Sequence, residues 1–414
     1  MQNKLKYYTK LFVDNRYVIS FNIFDKLYFF VVFLSFALIY PAHAYGELIT
    51  IFSLCTITMI IFDLGIPIFL QRNIAISKYE SSELFSQLLY LNIIILIFYT
   101  LVTSFLYFVL YSNISIDIFL LISGVVFLSS VSNQFNSALA GLNSFRKRFI
   151  FLVITRISIL IVFIPFIYLF KIELKYLLLI LIAGSILHIL MIYNDLHKTG
   201  LSIRAELDFR KIKNIILLSI PIGLAVLFNF LYDKIDIVII SKLTNFSEVA
   251  FYNIGYGIYK SSTLAFSFLL ISGFTKVSYL SRNKYAVKLF LIKYFKIILV
   301  IGILINIFLF SLSGLIINII YTDKYFNSIF ILKILSFAVI GLSLNNLTGI
   351  ILNGLGLFKQ NMIVTFIGFS TNIILNLYFI PLYGIIAAAL ISVLTEYIIL
   401  AGDFFYLNKF FKAK

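Results

Sequence analysis

Apolar and polar positions along this chain come in blocks rather than in residue-by-residue alternation. Runs of about 20 or more apolar residues recur from end to end, each closed by a short polar loop, which is the pattern of bilayer-crossing helices. Twelve such runs are expected. In the first half they fall at 17–40, 46–70, 82–110, 115–140, 149–170 and 174–194. In the second half they fall at 213–240, 247–273, 288–312, 326–352, 358–380 and 384–407. The short alternating segments of an outer-membrane barrel are absent. One long polar interval remains, residues 195–213 (DLHKTGLSIRAELDFRKIK), and it contains the midpoint of the chain. The expected architecture is therefore an all-α polytopic membrane protein of two six-helix lobes. Residues 1–194 form the first lobe, 195–213 a connector, and 214–414 the second lobe.

The loops give the expected orientation. When Lys and Arg are counted on alternating sides, 22 fall on the side of the N-terminus and 4 on the other. The positive-inside rule then puts both termini and the connector in the cytoplasm. An odd number of helices would scramble that alternation, so the charges support twelve independently of the apolar runs. The basic N-terminus, MQNKLKYYTKLFVDNR, is followed by no small-residue cleavage site and reads as the start of a retained first helix. External loops of a few residues leave no room for an extracytoplasmic domain. Polar chemistry is then confined to the cytoplasmic loops and the spaces between helices.

A weak internal repeat is also present. Helix one carries FNIFDK (residues 21–26) and helix seven carries FNFLYDK (residues 228–234), with one inserted residue. Both copies enter from the same side, so the two lobes are expected to be related by a parallel pseudo-two-fold axis along the membrane normal.

Composition excludes several classes. A 62% hydrophobic fraction with 12% charged residues, and a mean hydropathy of +1.06, is far from a soluble domain. The net charge of +16 lies in scattered loops rather than on one face, so nucleic acid is not an expected partner. Cys55 stands alone and the three histidines are dispersed, which leaves no disulfide and no metal cluster to expect.

Charges within apolar runs are expensive and are candidate sites by default. Lys260 and Glu396 lie too deep to reach an interface and are placed in a cavity or in a structural pair. Arg156, Lys234, Lys333 and the Asp25–Lys26 pair lie shallower, and the basic ones admit either a cavity position or a long snorkel. Asp233 and Asp236 share one face of helix seven beside Lys234. Lys293 and Lys296 reach the cytoplasmic interface if helix nine slides toward residue 320. His188 reads as a packing residue, and Asp63 as structural. Pro67, Pro165 and Pro221 with Gly223 are candidate kinks or hinges.

Four stretches carry a family resemblance. They are Tyr45-Gly46, Asp63-Leu64-Gly65 and Arg72 near helix two; residues 233–252; IYTDKYFNSIFILKIL at 320–335; and NLYFIPLYGIIAAA at 376–389. In this order they resemble the polysaccharide-transport branch of the multidrug/oligosaccharidyl-lipid/polysaccharide exporter superfamily, and within it the O-antigen (Wzx-type) flippases. Departures are Ala42-His43 in the first turn, Asp323 for a Gly, and Ala387 for a second Gly. The resemblance implies two six-helix lobes around a central cavity, a non-enzymatic alternating-access cycle, and undecaprenyl-diphosphate-linked oligosaccharide as substrate. Possible partners are a polysaccharide polymerase and a chain-length regulator.

Within that reading Lys260, Arg156, Lys234, Lys333 and Lys26 are the candidate substrate contacts. Glu396, Asp233, Asp236 and Asp25 are the candidates for proton or sodium coupling, with no cofactor. The alternatives are a drug/cation antiporter of the same superfamily and a membrane polysaccharide polymerase.

Overall fold

The computed structural model describes residues 2–63, 65–76, 81–170, 172–199, 207–270 and 273–412. Among these residues the chain is helical throughout, without strands. The first half comprises α1 (Gln2–Ile39), α2 (Ala42–Asp63), α3 (Ile66–Ile76), α4 (Ser81–Leu110), α5 (Ile116–Gly141), α6 (Phe145–Tyr168) and α7 (Leu174–Lys198). The second half comprises α8 (Phe209–Leu243), α9 (Phe246–Ser262), α10 (Leu264–Leu270), α11 (Gly273–Leu280), α12 (Lys284–Tyr321), a 3-10 turn (Asp323–Tyr325), α13 (Asn327–Ser336), α14 (Ala338–Gly354) and α15 (Phe358–Lys412).

Eight of the described helices are individually long and apolar enough to cross a bilayer, and the pair α13 and α14, bent by 43°, makes a ninth span. The 55-residue α15 is two limbs, because Gly384 adopts φ 59°, ψ −147°, which only glycine tolerates easily. Pro381, three residues earlier, withholds a backbone donor at the same bend. With α2/α3, α9–α11 and α13/α14 each taken as one broken span, the described helices make twelve segments, the number expected.

Local chemistry sets the ends. Asn245 and Asn283 cap α9 and α12, their side-chain oxygens accepting from the backbone N–H of Glu248 and Ala286 at 3.0 Å each. Two expected boundaries shift. α12 continues to Tyr321 rather than to about residue 312, so its 38 residues measure about 57 Å. About 20 residues cross the hydrocarbon, and counting back from Tyr321 leaves Lys293 and Lys296, both exposed, beyond it. The expected single helix over 247–273 is broken after Ser262. Exposed Leu101, Phe105 and Phe108 on α4, like Leu304 and Ile307 on α12, present the apolar faces that lipid covers.

The chain forms two compact units. The first is Met1–Ile39 with Leu54–Leu227, and the second is Tyr40–Ser53 with Phe228–Lys414. In the first unit α1 packs on α6, and α5 packs on α3 and α7. The expected connector falls partly outside the described residues, at 200–206. Its two described ends are held by this unit. Lys147 pairs with Asp195 at 2.7 Å, Gln87 Oε1 accepts from Asp208 N at 3.0 Å, and Lys211 pairs with Glu83. In the second unit α14 packs on α12 and on α15, while α13 packs on α9. The first half of α2 also belongs to this unit. There Gly46 lies so close to α9 that an added Cβ would stand 1.7 Å from the Phe246 carbonyl oxygen.

Candidate functional site

The deep charges of the first unit resolve into one ion pair. Asp25 on α1 accepts from Arg156 Nε at 3.1 Å and from Nη2 at 3.0 Å. The guanidinium lies over the rings of Tyr28 (4.3 Å) and Phe29 (5.1 Å), so a planar cation is held by an acid on one side and aromatic faces on another. Its side chain is 11% exposed, enclosed by its partners within the unit. Lys26, next along α1, is exposed and stands apart from this pair. His188 is buried between Asn136 (3.1 Å) and Thr155 (2.9 Å), the packing role expected for it. Asp63, at the end of α2, meets Gln134 at 3.4 Å.

The second unit gathers more. α8 presents Tyr232, Asp233, Lys234 and Asp236 within five positions. Lys260, in the last turn of α9, reaches Asp233 Oδ1 at 2.6 Å, and the Tyr256 hydroxyl donates to the same oxygen at 3.1 Å. Both charged groups keep partial access, at 26% and 39%. Asp236 is buried and fully dressed: it accepts from Tyr252 (2.8 Å), Ser392 (3.3 Å) and Asn376 Nδ2 (2.9 Å). Asn376 in turn donates to Asn372 one turn earlier at 3.0 Å.

Glu396, 2% exposed, is held from three helices. Asn345 of α14 donates to its carboxylate at 2.7 Å and to its backbone oxygen at 2.8 Å. The hydroxyls of Tyr232 and Tyr259 donate to Oε1 at 3.2 and 3.3 Å. Lys234 is half-buried beside Asp233 and makes no ion pair among the described residues. Lys333 is elsewhere: its ammonium lies over the Phe310 ring of α12 at 5.7 Å, not against an acid.

The structure thus brings Asp233, Lys260, Asp236 and Glu396 into one polar cluster, the last two buried and the first two partly accessible, with Lys234 at its edge. It sets Asp25 and Arg156 together in the other unit and leaves Lys26 and Lys333 outside both. Such a cluster sets an ammonium against carboxylates inside the helix bundle, and ionisable groups within membrane helices are candidate sites by default.

Residues 38–330 match the polysaccharide biosynthesis protein family. The chain belongs to that family. Its fold is that of the multidrug/oligosaccharidyl-lipid/polysaccharide superfamily. It superposes on an inward-facing multidrug resistance transporter of the MATE family with a TM-score of 0.75, at 14% identity, covering 93% of this chain and 94% of that one. It superposes on the lipid II flippase MurJ in an inward closed conformation with a TM-score of 0.70, at 18% identity, covering 95% and 87%. A 94-residue stretch is 37% identical to an uncharacterized membrane protein of Methanocaldococcus jannaschii, and the match spans 23% of this chain and only 18% of that relative.

For this polysaccharide biosynthesis protein the sequence reading passed over the uncharged half of the cluster: Tyr252, Tyr259, Asn345, Asn372 and Ser392. A signal existed. Ser392, Thr395, Glu396, Ile399 and Asp403 recur at the helical period, and that places four polar groups along one apolar helix face.

Proposed function

We infer that this protein is a flippase that carries undecaprenyl-diphosphate-linked oligosaccharide repeat units of O-antigen or a related surface polysaccharide. The movement is from the cytoplasmic to the outer leaflet of the bacterial inner membrane. The observation that carries this reading is that each unit holds a cation against a partly accessible aspartate: Arg156 against Asp25, and Lys260 against Asp233. Both aspartates come from the two copies of the internal repeat, Asp25-Lys26 and Asp233-Lys234.

The diphosphate of a lipid carrier brings about two negative charges into a low-dielectric interior, and it needs cations to meet it there. A cation already paired with a carboxylate is held in place but not free. When a proton or sodium ion neutralises the aspartate, the cation is released to the diphosphate. When the ion leaves, the carboxylate takes the cation back and the substrate departs. That exchange links ion movement to lipid movement and avoids a single strong site that would trap the substrate. Asp236 and Glu396, wrapped in hydroxyls and amides, are the further acids of the coupling set, and Lys234 is the reserve cation beside them. Both termini lie in the cytoplasm in this account, and a polymerase and chain-length regulator act on the delivered product.

Deletion of the gene followed by lipid extraction tests the reading. Accumulation of undecaprenyl diphosphate carrying one complete repeat unit is expected. An unchanged lipid pool with altered dye sensitivity points instead to a drug/cation antiporter.

A further inference from the structure

Asp403 is an acid to which the exchange above gives no role. It lies on α15 seven residues beyond Glu396, about 10 Å further along the same helix face, and is 1% exposed. Its one described partner is the Thr348 hydroxyl of α14, 2.5 Å from Oδ2, while Oδ1 meets no hydrogen-bonding group. No basic residue among the described residues pairs with it.

The flanking positions are apolar and tight. A Cβ on Gly402 would stand 2.9 Å from Val364 of the first limb, and Phe404 packs against Phe295 of α12. Thr348 and Asn345 face the acid's side of α15 from α14, and neither is charged. The nearest acid on its own face is Glu396, seven residues earlier.

Thr348 has a single hydroxyl hydrogen, and its oxygen lies 3.2 Å from the Leu344 carbonyl, 3.2 Å from the Asn345 carbonyl and 2.5 Å from Asp403. Donated to the acid, that hydrogen makes the short contact a hydroxyl-to-carboxylate bond; returned to its own helix, it leaves the contact to a hydrogen on the carboxyl. A bare carboxylate enclosed by apolar groups with one hydroxyl partner is the costliest state for that site.

We propose that Asp403 is a proton-binding carboxyl that donates to Thr348 and forms the terminal proton site of a polar seam running from Glu396 through Asn345 and Thr348. It rests on the ion-coupled reading given above and adds the site where the coupling proton is taken up and released. Gly384 precedes Asp403 by 19 residues, about 28 Å along the second limb. In the proposed orientation Asp403 therefore lies near the cytoplasmic edge of a hydrocarbon core about 30 Å thick, two turns from Glu396.

The test is infrared difference spectroscopy on the purified protein, with aspartate labelled at the carboxyl carbon, between about pH 5 and about pH 9. A protonated aspartic acid band that disappears in Asp403→Asn, and shifts in frequency in Thr348→Val, is expected. An unchanged band in both variants overturns the proposal, because Asp403 is then ionised or its hydroxyl partner is irrelevant. Asn keeps the size of the side chain, and Thr348→Val reports on the band with Asp403 intact, so a folding defect in one variant leaves the other informative. Transport by Asp403→Asn is expected to lose its dependence on the proton gradient at least several-fold, and a wild-type dependence counts against the site. Because the band is read without substrate, its presence survives a failure of the flippase reading, and its absence refutes this proposal alone.

Discussion

Gly46→Ala isolates one packing decision that the fold makes within its second unit. The methyl group would stand 1.7 Å from the Phe246 carbonyl oxygen and 2.5 Å from its carbonyl carbon. Both atoms are backbone, at the start of α9, so no side chain can swing aside. Ordinary contact needs roughly 3.2 Å or more, so the first half of α2 must retreat by about 1.5 Å. That movement loosens three further links: the Asn253 amide to the Tyr45 hydroxyl at 3.3 Å, the edge contact of Tyr45 with Tyr325 at 6.3 Å, and the hydrogen bond from Lys324 to the Tyr40 carbonyl. Overpacking costs about 1–3 kcal/mol, and a lost hydrogen bond adds about 1 kcal/mol.

A total of about 2–4 kcal/mol at this docking surface corresponds to roughly thirty-fold to several-hundred-fold more frequent local opening. Hydrogen exchange followed by mass spectrometry reads it in peptides covering residues 40–53 and 246–256. Exchange should rise there and stay unchanged in α5 and α7. Wild-type protection of residues 40–53 in Gly46→Ala would show that the close approach does not hold α2 in place.

The topology is checked with reporter fusions. One after Lys198 should report the cytoplasm, and one after Lys242 or Lys324 the outside, whereas an external signal at Lys198 contradicts the proposed orientation. Lys260→Ala should abolish transport at normal protein levels, and Lys260→Arg should retain part of it because the charge opposite Asp233 survives. Normal transport by the alanine variant would remove Lys260 from the path. Glu396→Gln should reduce transport more at small ion gradients than at large ones, and equal loss at all gradients would assign the residue to structure, as a member of its contacts with Asn345, Tyr232 and Tyr259.

The spans were legible because one requirement, satisfying every backbone group in lipid, leaves so plain an apolar pattern. Their breaks were less so. The bend at Gly384 sits in a sequence, IPLYGII, that advertises it, and the boundary placed between residues 380 and 384 was close. The break after Ser262 has no proline, and the apolar pattern runs straight through it. Among the deep charges, depth along a helix was readable from residue counts but direction was not. Residue counts set Lys260 deeper than Lys333 but gave neither its direction; packing alone sends Lys333 to Phe310 and Lys260 to Asp233. Pairing was likewise hidden, since Arg156 and Asp25 are separated by 131 positions. The hydroxyls and amides around Asp236 and Glu396 were overlooked because Tyr, Ser and Asn are common in this chain and carry no charge to mark them.

Reconstitution measures the central claim most directly. Purified protein in proteoliposomes is given undecaprenyl diphosphate carrying one labelled repeat unit, and transfer between leaflets is followed with and without an imposed proton or sodium gradient. The account predicts gradient-dependent transfer that is lost in Lys260→Ala and uncoupled from the gradient in Asp233→Asn. Transfer at the protein-free rate, with gradient-dependent movement of cationic dyes in the same vesicles, would contradict it.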